Sequence, residues 1–283
     1  VRAIIVDAAG DLSPIFLSIA SNLLREYSQQ DPRDLRIRRR TSPLPSKTFT
    51  SALLDALPQT IDRILAARKL VGSRTPICRA VLCDVSELTV DNSMTQFDAA
   101  ITSPPYAMAL PYIDTQRLSL VWLDLLAPDK ILELEASLIG SRELRGNSKR
   151  ELPQLLAAND AELPDEEYQL CINLENLLGE DDGFRRRAVP VLLYRYFASM
   201  KANFSSVNTL MKEGAPYALI VGHNHTTIGG IRHDIDTPLH LSRLAESVGW
   251  RVEELIPLQT YRRYGYHVSN AVAAETMIIL RKE

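Results

Sequence analysis

Apolar runs and amphipathic stretches alternate along the first 122 residues. The runs in 3–7, 78–88 and 97–106 each lead into an acid or a polar loop, which is typical of buried parallel strands. Residues 11–27 and 50–72 carry apolar side chains at helical spacing and predict two helices. This order is typical of an open α/β sheet, in which ligands bind beyond the carboxyl ends of the strands.

The pattern changes in the middle of the chain. Residues 124–188 are rich in Leu, Glu, Asp and Arg and predict a mostly helical insertion. Beyond it, the pattern predicts a long helix, a strand, a second helix and a closing antiparallel strand pair, at 191–214, 215–222, 237–250, and 251–261 with 275–282. We interpret 222–234, which contains His223, His225 and His233, as a loop at the sheet edge rather than a metal site, because no familiar ligand spacing accompanies the histidines.

Composition narrows the class of protein. The 283 residues are 46% hydrophobic with a formal net charge of -3, which argues against polyanion binding over the whole surface but permits a local basic face. The three cysteines form no close-spaced pair, as expected in a reducing compartment. We read no apolar stretch that approaches 18 residues and no signal-peptide pattern at the N-terminus. We therefore expect a cytoplasmic protein with no membrane partner.

The tetrapeptide Ser103-Pro104-Pro105-Tyr106 closes the third predicted strand. Its prolines fix the backbone and remove two N–H donors, so the neighbouring carbonyls have few local partners. A hydroxyl and a carbonyl can accept from an exocyclic amine while the tyrosine ring stacks on a planar base. The alternative is a proline turn with a surface tyrosine. The position of the tetrapeptide, after strands that end in acids, favours the amine site.

These residues resemble the catalytic motif of S-adenosylmethionine-dependent DNA amino-methyltransferases. The serine form, preceded by Thr102, is most similar to the N4-cytosine branch, and the runs at 109–120 and 137–143 also resemble SPPY methylases of restriction–modification type. The resemblance covers about 1–122 and 190–283. It implies a Rossmann-like class I methyltransferase fold, with a mostly parallel sheet, an antiparallel C-terminal strand and a mostly helical insertion.

The resemblance also implies a mechanism. The target base is flipped out of duplex DNA because its amine is unreachable inside the stack. Tyr106 stacks on the base, while Ser103 and the carbonyl near Pro104, held by Pro105, bind the amine and orient it toward the methyl donor. A carbon-5 cytosine methylase requires a nucleophilic cysteine directly after a proline. No cysteine of this chain directly follows a proline.

The cofactor site implied by the resemblance has a gap. Asp7 would close the first strand, Asp11 with Leu12 would hold the ribose, and Asp84 with Val85 would lie near the adenine. An acid at a strand end is also a common cap or turn residue. The glycine loop that the family places after the first strand is absent, since Asp7 is followed directly by Ala8. We expect that the natural sequence carries about 20 further residues here, the length of a loop, helix and turn.

Basic and aromatic side chains supply candidate DNA contacts. The clusters at 36–40, with Arg38, Arg39 and Arg40, and at 184–187 could each contact phosphates or form a solvated face. Tyr112 and Arg117 could line the base pocket or contact the DNA backbone, although Arg117 could equally pair with Asp114 on a helix. Residues 260–267 hold three tyrosines and two arginines, which suits stacking or phosphate contact near an extrahelical base, or a hairpin loop.

The resulting hypothesis divides the chain into three parts. Residues 1–123 form the cofactor-binding and catalytic half, 124–189 the insertion for target recognition, and 190–283 the rest of the methyltransferase domain. The expected activity is methyl transfer from S-adenosylmethionine to cytosine N4 in double-stranded DNA, with a cognate restriction endonuclease as a possible partner and no metal. The alternatives are adenine N6 methylation and a non-catalytic DNA-binding or specificity subunit with the same fold.

Overall fold

The computed structural model describes residues 1–34, 37–72, 78, 80–88, 96–107, 112–259 and 275–283. These residues form two compact units. Among the described residues, the first unit takes in 1–81 and 112–134, and the second takes in 82–107, 135–259 and 275–283. The predicted contact segment 260–267 lies outside the described residues.

The first unit is helical where it is described. Its elements are α1 (Arg2–Ala9), a 3-10 turn (Gly10–Leu12), α2 (Ser13–Leu23), α3 (Phe49–Val71), α4 (Tyr112–Trp122) and a second 3-10 turn (Pro128–Lys130), after which α5 (Ile131–Ser137) begins. α3 starts where Thr48 Oγ1 accepts from Ser51 N at 3.2 Å, and it continues through Pro58. The helices predicted at 11–27 and 50–72 are confirmed, the first of them in a shorter form.

The strand predicted at 3–7 is wrong, because these residues lie within α1. A strand needs hydrogen-bonded neighbours, and the described strands of the main sheet pair with one another and not with these residues. The chain continues instead through Ala8 and Ala9, which favour helix, to Gly10 at φ 49°. Only Ile5 of this helix is buried. The local apolar pattern therefore predicted a buried strand for a segment that is helical and mostly exposed.

The strand predicted at 78–88 is likewise not formed in the described part of that segment, residue 78 and residues 80–88. Leu82 is 104% exposed and Val81 is 59% exposed. A strand that is apolar on both faces requires covered faces and paired neighbours. Because the described residues at 3–7 form a helix, they cannot provide a neighbouring strand, and this run stays exposed to solvent.

The second unit carries the sheet. Its helices are α6 (Ser148–Ala158), α7 (Asp165–Asn176), α8 (Phe184–Arg187), α9 (Val189–Leu210) and α10 (Thr237–Glu246). Its strands are β1 (Ala100–Thr102), β2 (Pro216–Gly222), β3 (Asn224–Ile228), β4 (Ile231–Ile235), β5 (Trp250–Leu258) and β6 (Glu275–Lys282). The helices expected within 124–188 and at 191–214 and 237–250 are present. The strand expected at 97–106 is reduced to β1.

The described strands of the main sheet follow the order β1-β2-β6-β5. β1 runs parallel to β2, and β6 runs antiparallel to both β2 and β5. Three strands therefore share one direction, and the C-terminal strand is inserted between two of them in the opposite direction. The mixed α/β class and the closing antiparallel pair are confirmed.

The loop predicted at 222–234 is wrong in part, since β3 and β4 form an antiparallel hairpin there. Its turn is Gly229-Gly230, with φ values of 57° and 77°. Two successive positive φ angles are the requirement of a type I′ turn, which glycine meets without strain. A Gly-Gly pair between alternating residues was therefore a hairpin signal that the sequence interpretation missed.

The core of the second unit packs around α9. Phe197 and Phe204 are fully buried, as are Leu219 of β2 and Leu280 of β6. Trp250 lies among them, and its indole Nε1 donates to Phe204 O at 3.0 Å. α9 therefore covers one face of the sheet and holds the neighbouring helices against it.

One stretch of the described residues, Arg2–Leu23, is long and apolar enough to cross a membrane by length and composition, with mean hydropathy 1.6. The expectation that no apolar stretch approaches 18 residues is therefore wrong. Asp7 and Asp11 interrupt the stretch locally, but two charges do not lower the average over an 18-residue window enough. Core helices and signal sequences meet the same criterion, so the stretch does not decide whether the chain contacts a membrane.

Candidate functional site

The tetrapeptide Ser103–Tyr106 leaves the carboxyl end of β1. Thr102, the last residue of that strand, pairs with Leu219 of the parallel strand β2. One residue further on, Ser103 Oγ donates to Ile220 O at 3.1 Å. Ser103 is exposed and Pro104 is buried. The predicted placement at the carboxyl edge of the sheet is therefore confirmed.

The hydrogen bond of Ser103 defines what its hydroxyl can do. A hydroxyl has one proton to donate and two lone pairs that accept. Because its proton is directed at Ile220 O, the lone pairs remain available for an incoming donor. Pro104 and Pro105 carry no N–H group, so the adjoining backbone presents carbonyl acceptors. The loop is suited to a ligand with N–H donors.

Tyr106 is hydrogen-bonded to the first residue of β6. Its hydroxyl donates to Glu275 Oε1, and Glu275 opens β6, where it pairs with Gly222 at the end of β2. Asn224 Nδ2 donates to Ala107 O, which attaches the end of the loop to β3. The half-buried Tyr106 ring is therefore fixed in orientation at both its hydroxyl and its backbone.

Gly140 forms the support beneath this loop. It has φ 76°, and a Cβ atom there would lie 2.8 Å from Tyr106 O and 3.2 Å from Pro105 Cβ. Only glycine allows so close an approach without displacing the loop. Gly140 belongs to the run at 137–143 that resembles SPPY methylases, so the structure places this run against the tetrapeptide.

Arg195 of α9 holds the chain around Gly140. Its guanidinium donates to the carbonyls of Ser141 and of Glu143, the latter at 3.1 Å. Ser141 is buried, and its Oγ accepts from Glu143 N at 3.1 Å. Burial lowers the pKa of Arg195, yet a guanidinium stays charged. Charge-assisted bonds to carbonyls therefore attach the support to α9, the helix around which the core of the unit packs.

His223 lies at the same edge, directly after β2. Its Nδ1 is 3.3 Å from Asp236 Oδ1, and its Nε2 is 3.4 Å from Thr276 Oγ1. Asp236 also caps α10 by accepting from Leu239 N at 3.3 Å. In the described part of the chain, no group of three or more His, Cys, Asp or Glu side chains is placed to hold a metal ion.

The predicted cofactor residues are divided between the two units. Asp7 lies in α1, and Asp11 with Leu12 in the following 3-10 turn, all three exposed. In the second unit, Asp84 Oδ1 accepts from Ser86 N at 2.9 Å and Ser86 Oγ at 2.6 Å, and these bonds lower the pKa of Asp84. Val85 O accepts from Asn203 Nδ2 at 3.1 Å.

None of these cofactor candidates follows a strand among the described residues. The strand-end geometry that brings a ribose to a carboxylate in open α/β sheets is therefore not formed around them. Asp84 has the bonding of a turn residue, one of the two roles that the sequence left open. The described residues therefore do not form the predicted S-adenosylmethionine site at strand ends.

The predicted DNA contacts of the first unit have partners within it. Arg117 lies 3.5 Å from Asp114 on α4, the helix that Tyr112 begins. Arg38 lies 3.3 Å from Asp34, and Arg40 Nη1 donates to Ser28 O at 3.2 Å. Arg39 is exposed.

In the second unit, the cluster at 184–187 also contacts its own chain. Arg187 Nε donates to Asp182 O at 2.8 Å, and Arg187 Nη2 donates to Gly179 O at 2.9 Å. Arg186 lies 3.5 Å from Asp182. This cluster therefore stabilises the turn at 179–182, while the exposed guanidinium of Arg185 lies 5.7 Å from the ring centroid of Phe184.

Sequence reasoning missed the residues that hold the Ser103–Tyr106 loop. Glu275, Asn224 and Arg195 lie 169, 117 and 54 positions from their partners at the site, so no local pattern connects them. Gly140 carried a usable signal, because a glycine in a run that resembles the same family can mark a close backbone approach.

A scan against protein-family models finds no family that matches this chain, and a search of curated proteins finds no matching relative.

Proposed function

We propose that the chain is a DNA amino-methyltransferase that acts on the exocyclic N4 amine of a flipped cytosine. The observation that carries this proposal is the loop at the carboxyl end of β1, in which Ser103 Oγ directs its proton at Ile220 O. An acceptor hydroxyl beside proline carbonyls is the arrangement that an amine with two N–H donors requires.

In this proposal the side chains position the base rather than react with it. The Tyr106 ring, oriented by Glu275, provides the stacking surface, and such stacking contributes about 1–3 kcal/mol per base. The Ser103 hydroxyl and a neighbouring carbonyl accept from the amine and draw its lone pair out of conjugation with the ring. Catalysis then rests on orientation and electrostatics.

The methyl donor in this proposal is S-adenosylmethionine, which supplies a methyl group activated by its sulfonium. The choice of this methyl donor rests on the sequence resemblance alone, since none of the acids expected to hold the cofactor follows a strand among the described residues. Cytosine is preferred over adenine because the motif begins with serine rather than with Asp or Asn. A cytoplasmic location and a partner endonuclease remain part of the same hypothesis.

The test uses the purified chain, labelled S-adenosylmethionine and duplex DNA from a host that lacks methylases. Nucleosides from the digested DNA are identified by mass spectrometry, and we expect N4-methylcytosine. Detection of N6-methyladenine instead would show that adenine, and not cytosine, is the target base. Ser103→Ala should lower the rate about 10²–10³-fold, as removal of a positioned polar group commonly does, and Tyr106→Ala should also lower it.

Ser205→Ala is the matched control, because Ser205 is an exposed serine of α9. It should leave the rate unchanged. Full activity in both Ser103→Ala and Tyr106→Ala would show that the proposed site is not the site of the reaction.

A non-catalytic DNA-binding or specificity subunit is the second candidate. It is favoured by one observation, the helical path of residues 2–9 where the resemblance requires a strand and a glycine loop. Calorimetry with S-adenosylmethionine distinguishes the two: DNA binding without cofactor binding supports the subunit. Sequencing of the gene tests the missing segment, because adjacent codons for Asp7 and Ala8 would contradict it and favour the subunit.

A further inference from the structure

The stretch 142–151, called the basic segment below, begins directly after the support of the Ser103–Tyr106 loop. It contains four cations and two carboxylates, a net charge of +2, within a chain of net charge -3. The four cations are Arg142, Arg145, Lys149 and Arg150, and all four are exposed. Neither of the arginine clusters singled out from the sequence lies in this segment.

We propose that the basic segment binds the phosphates of duplex DNA beside the candidate site. The proposal rests on the proposed function, since it names the surface that would hold the DNA partner of that same site. Duplex DNA is the occupant that fits, because it presents one negative charge per about 1.7 Å of helix axis and because the candidate site is built for a base.

The basic segment is joined to the site by well-fixed chain. Gly140 contacts the backbone of Tyr106, and Arg195 holds the carbonyls of Ser141 and Glu143. Five Cα–Cα steps link Gly140 to Arg145, so the two Cα atoms are at most about 18 Å apart. That distance is less than the width of a DNA duplex. Phosphates that flank a base drawn to Tyr106 are therefore within reach of this surface.

The orientation of the cations is set by the core. Lys149 and Arg150 lie in the first turn of α6, whose Leu152 and Leu156 are buried. These two leucines fix the rotation of the helix, so the two cations stay at the surface. A backbone already ordered in a helix loses less conformational entropy on binding than that of a free loop.

Other cationic groups of the chain differ from Lys149 and Arg150 in their contacts. Arg186 and Arg187 contact the turn at 179–182, and Arg38 and Arg40 contact residues at 26–34 of their own unit. Within the basic segment, Arg145 lies 3.9 Å from Glu143 and its side chain is 46% exposed. Among the described residues, Lys149 and Arg150 are exposed and have no ion-pair partner, whereas Arg38, Arg40 and Arg186 each lie within 4 Å of a carboxylate.

The test measures binding of a labelled duplex of about 30 base pairs by fluorescence anisotropy across a series of NaCl concentrations, without a methyl donor. For Lys149→Gln/Arg150→Gln we expect the slope of log K against log[salt] to fall by about 2, and affinity near 0.1 M salt to fall roughly ten- to a hundredfold. The matched control is Lys212→Gln/Arg251→Gln. It removes the same charge at the opposite edge of the sheet, where the exposed Arg251 pairs in register with Arg281 near the end of β6, and should keep the wild-type slope.

An unchanged slope in Lys149→Gln/Arg150→Gln, or an equal loss in the control, would overturn the proposal. If the wild-type chain methylates DNA and the variant Lys149→Gln/Arg150→Gln binds DNA normally, the proposed DNA-binding surface is overturned and the proposed function stands. A wild-type chain that binds DNA through these residues but transfers no methyl group would support the surface and contradict the function. Loss of binding to phosphatidylserine vesicles with DNA binding intact would identify a membrane surface instead and overturn the DNA proposal.

Discussion

The two units differ in what they bury. In the first unit, Ile5, Ile19, Ala20 and Leu53 form a small cluster, while Ile4 is 70% exposed and Leu54 is 60% exposed. In the second unit, one continuous core joins α9 to its neighbouring helices and to the sheet, and Leu219 is fully buried. Both units have helices of good apolar periodicity, so periodicity alone does not produce a core.

The difference lies in the strands. β2 has a paired neighbour on each side and a helix over its buried face, so its apolar side chains leave water. The apolar residues at 3–7 pair with none of the described strands and form part of a short, mostly exposed helix. A sheet supplies a surface on which helices can pack, and the described residues of the first unit lack one.

Leucine truncation should separate the units most strongly. Leu219→Ala should destabilise the chain by about 2–5 kcal/mol, because it leaves a cavity in a close-packed core. Leu54→Ala should change stability by no more than about 0.5 kcal/mol, because that side chain already contacts water. Urea unfolding, followed by far-UV circular dichroism, measures both.

Equal losses for the two leucines would contradict the comparison. They would indicate that the exposed face of α3 is covered in solution. Leu54 is the suitable reference because the two substitutions remove the same atoms from sites that differ in burial.

Glycine substitutions sharpen the comparison within the second unit. Gly140→Ala should cost more than about 2 kcal/mol, because a positive φ costs about 1–2 kcal/mol and the new Cβ atom would lie 2.8 Å from Tyr106 O. Gly146→Ala should incur the backbone cost alone, since no atom lies within 4 Å of the place that its new methyl group would take. The same urea titration reports both, and a larger loss for Gly146→Ala would show that the support contact is not made.

Two buried carboxylates offer the smallest and most specific contrast. In the second unit, Asp182 Oδ2 accepts from Gly179 N at 2.9 Å and from Gly229 N at 2.8 Å, and these bonds lower the pKa of Asp182. In the first unit, Asp31 accepts from Arg33 two residues away, and that bonding lowers the pKa of Asp31. One carboxylate joins distant segments, and the other closes a local turn.

A carboxyl group with a lowered folded-state pKa stabilises the fold above its unfolded pKa, and this contribution is lost as pH falls through the folded value. The loss therefore occurs below about pH 4, the ordinary carboxyl range. Asp182→Asn should lower the urea midpoint at neutral pH more than Asp31→Asn, and each should reduce the further fall on acidification. A midpoint for Asp182→Asn equal to wild type at neutral pH would contradict the link to Gly229.

Much of the second unit could be predicted from local pattern. The apolar spacing of 191–214 predicted α9, and the alternation at 251–261 and 275–282 predicted the antiparallel pair of β5 and β6. The proline pair at 104–105 after an apolar run placed the candidate site at a strand end. These features succeed because each depends on neighbours within a few residues or on a face that alternation defines.

The tertiary structure alone decided which apolar runs became strands and what holds the site. The runs at 3–7 and 78–88 matched the strand pattern, but strand formation depends on hydrogen-bonding partners that local sequence does not specify. Glu275, Asn224, Gly140 and Arg195 reach the Ser103–Tyr106 loop or its support from four separate segments, and no spacing rule links them. The sequence by itself therefore determined the chemistry of the loop, a serine and a tyrosine on either side of two prolines, while the orientation of those groups was decided by contacts across the fold.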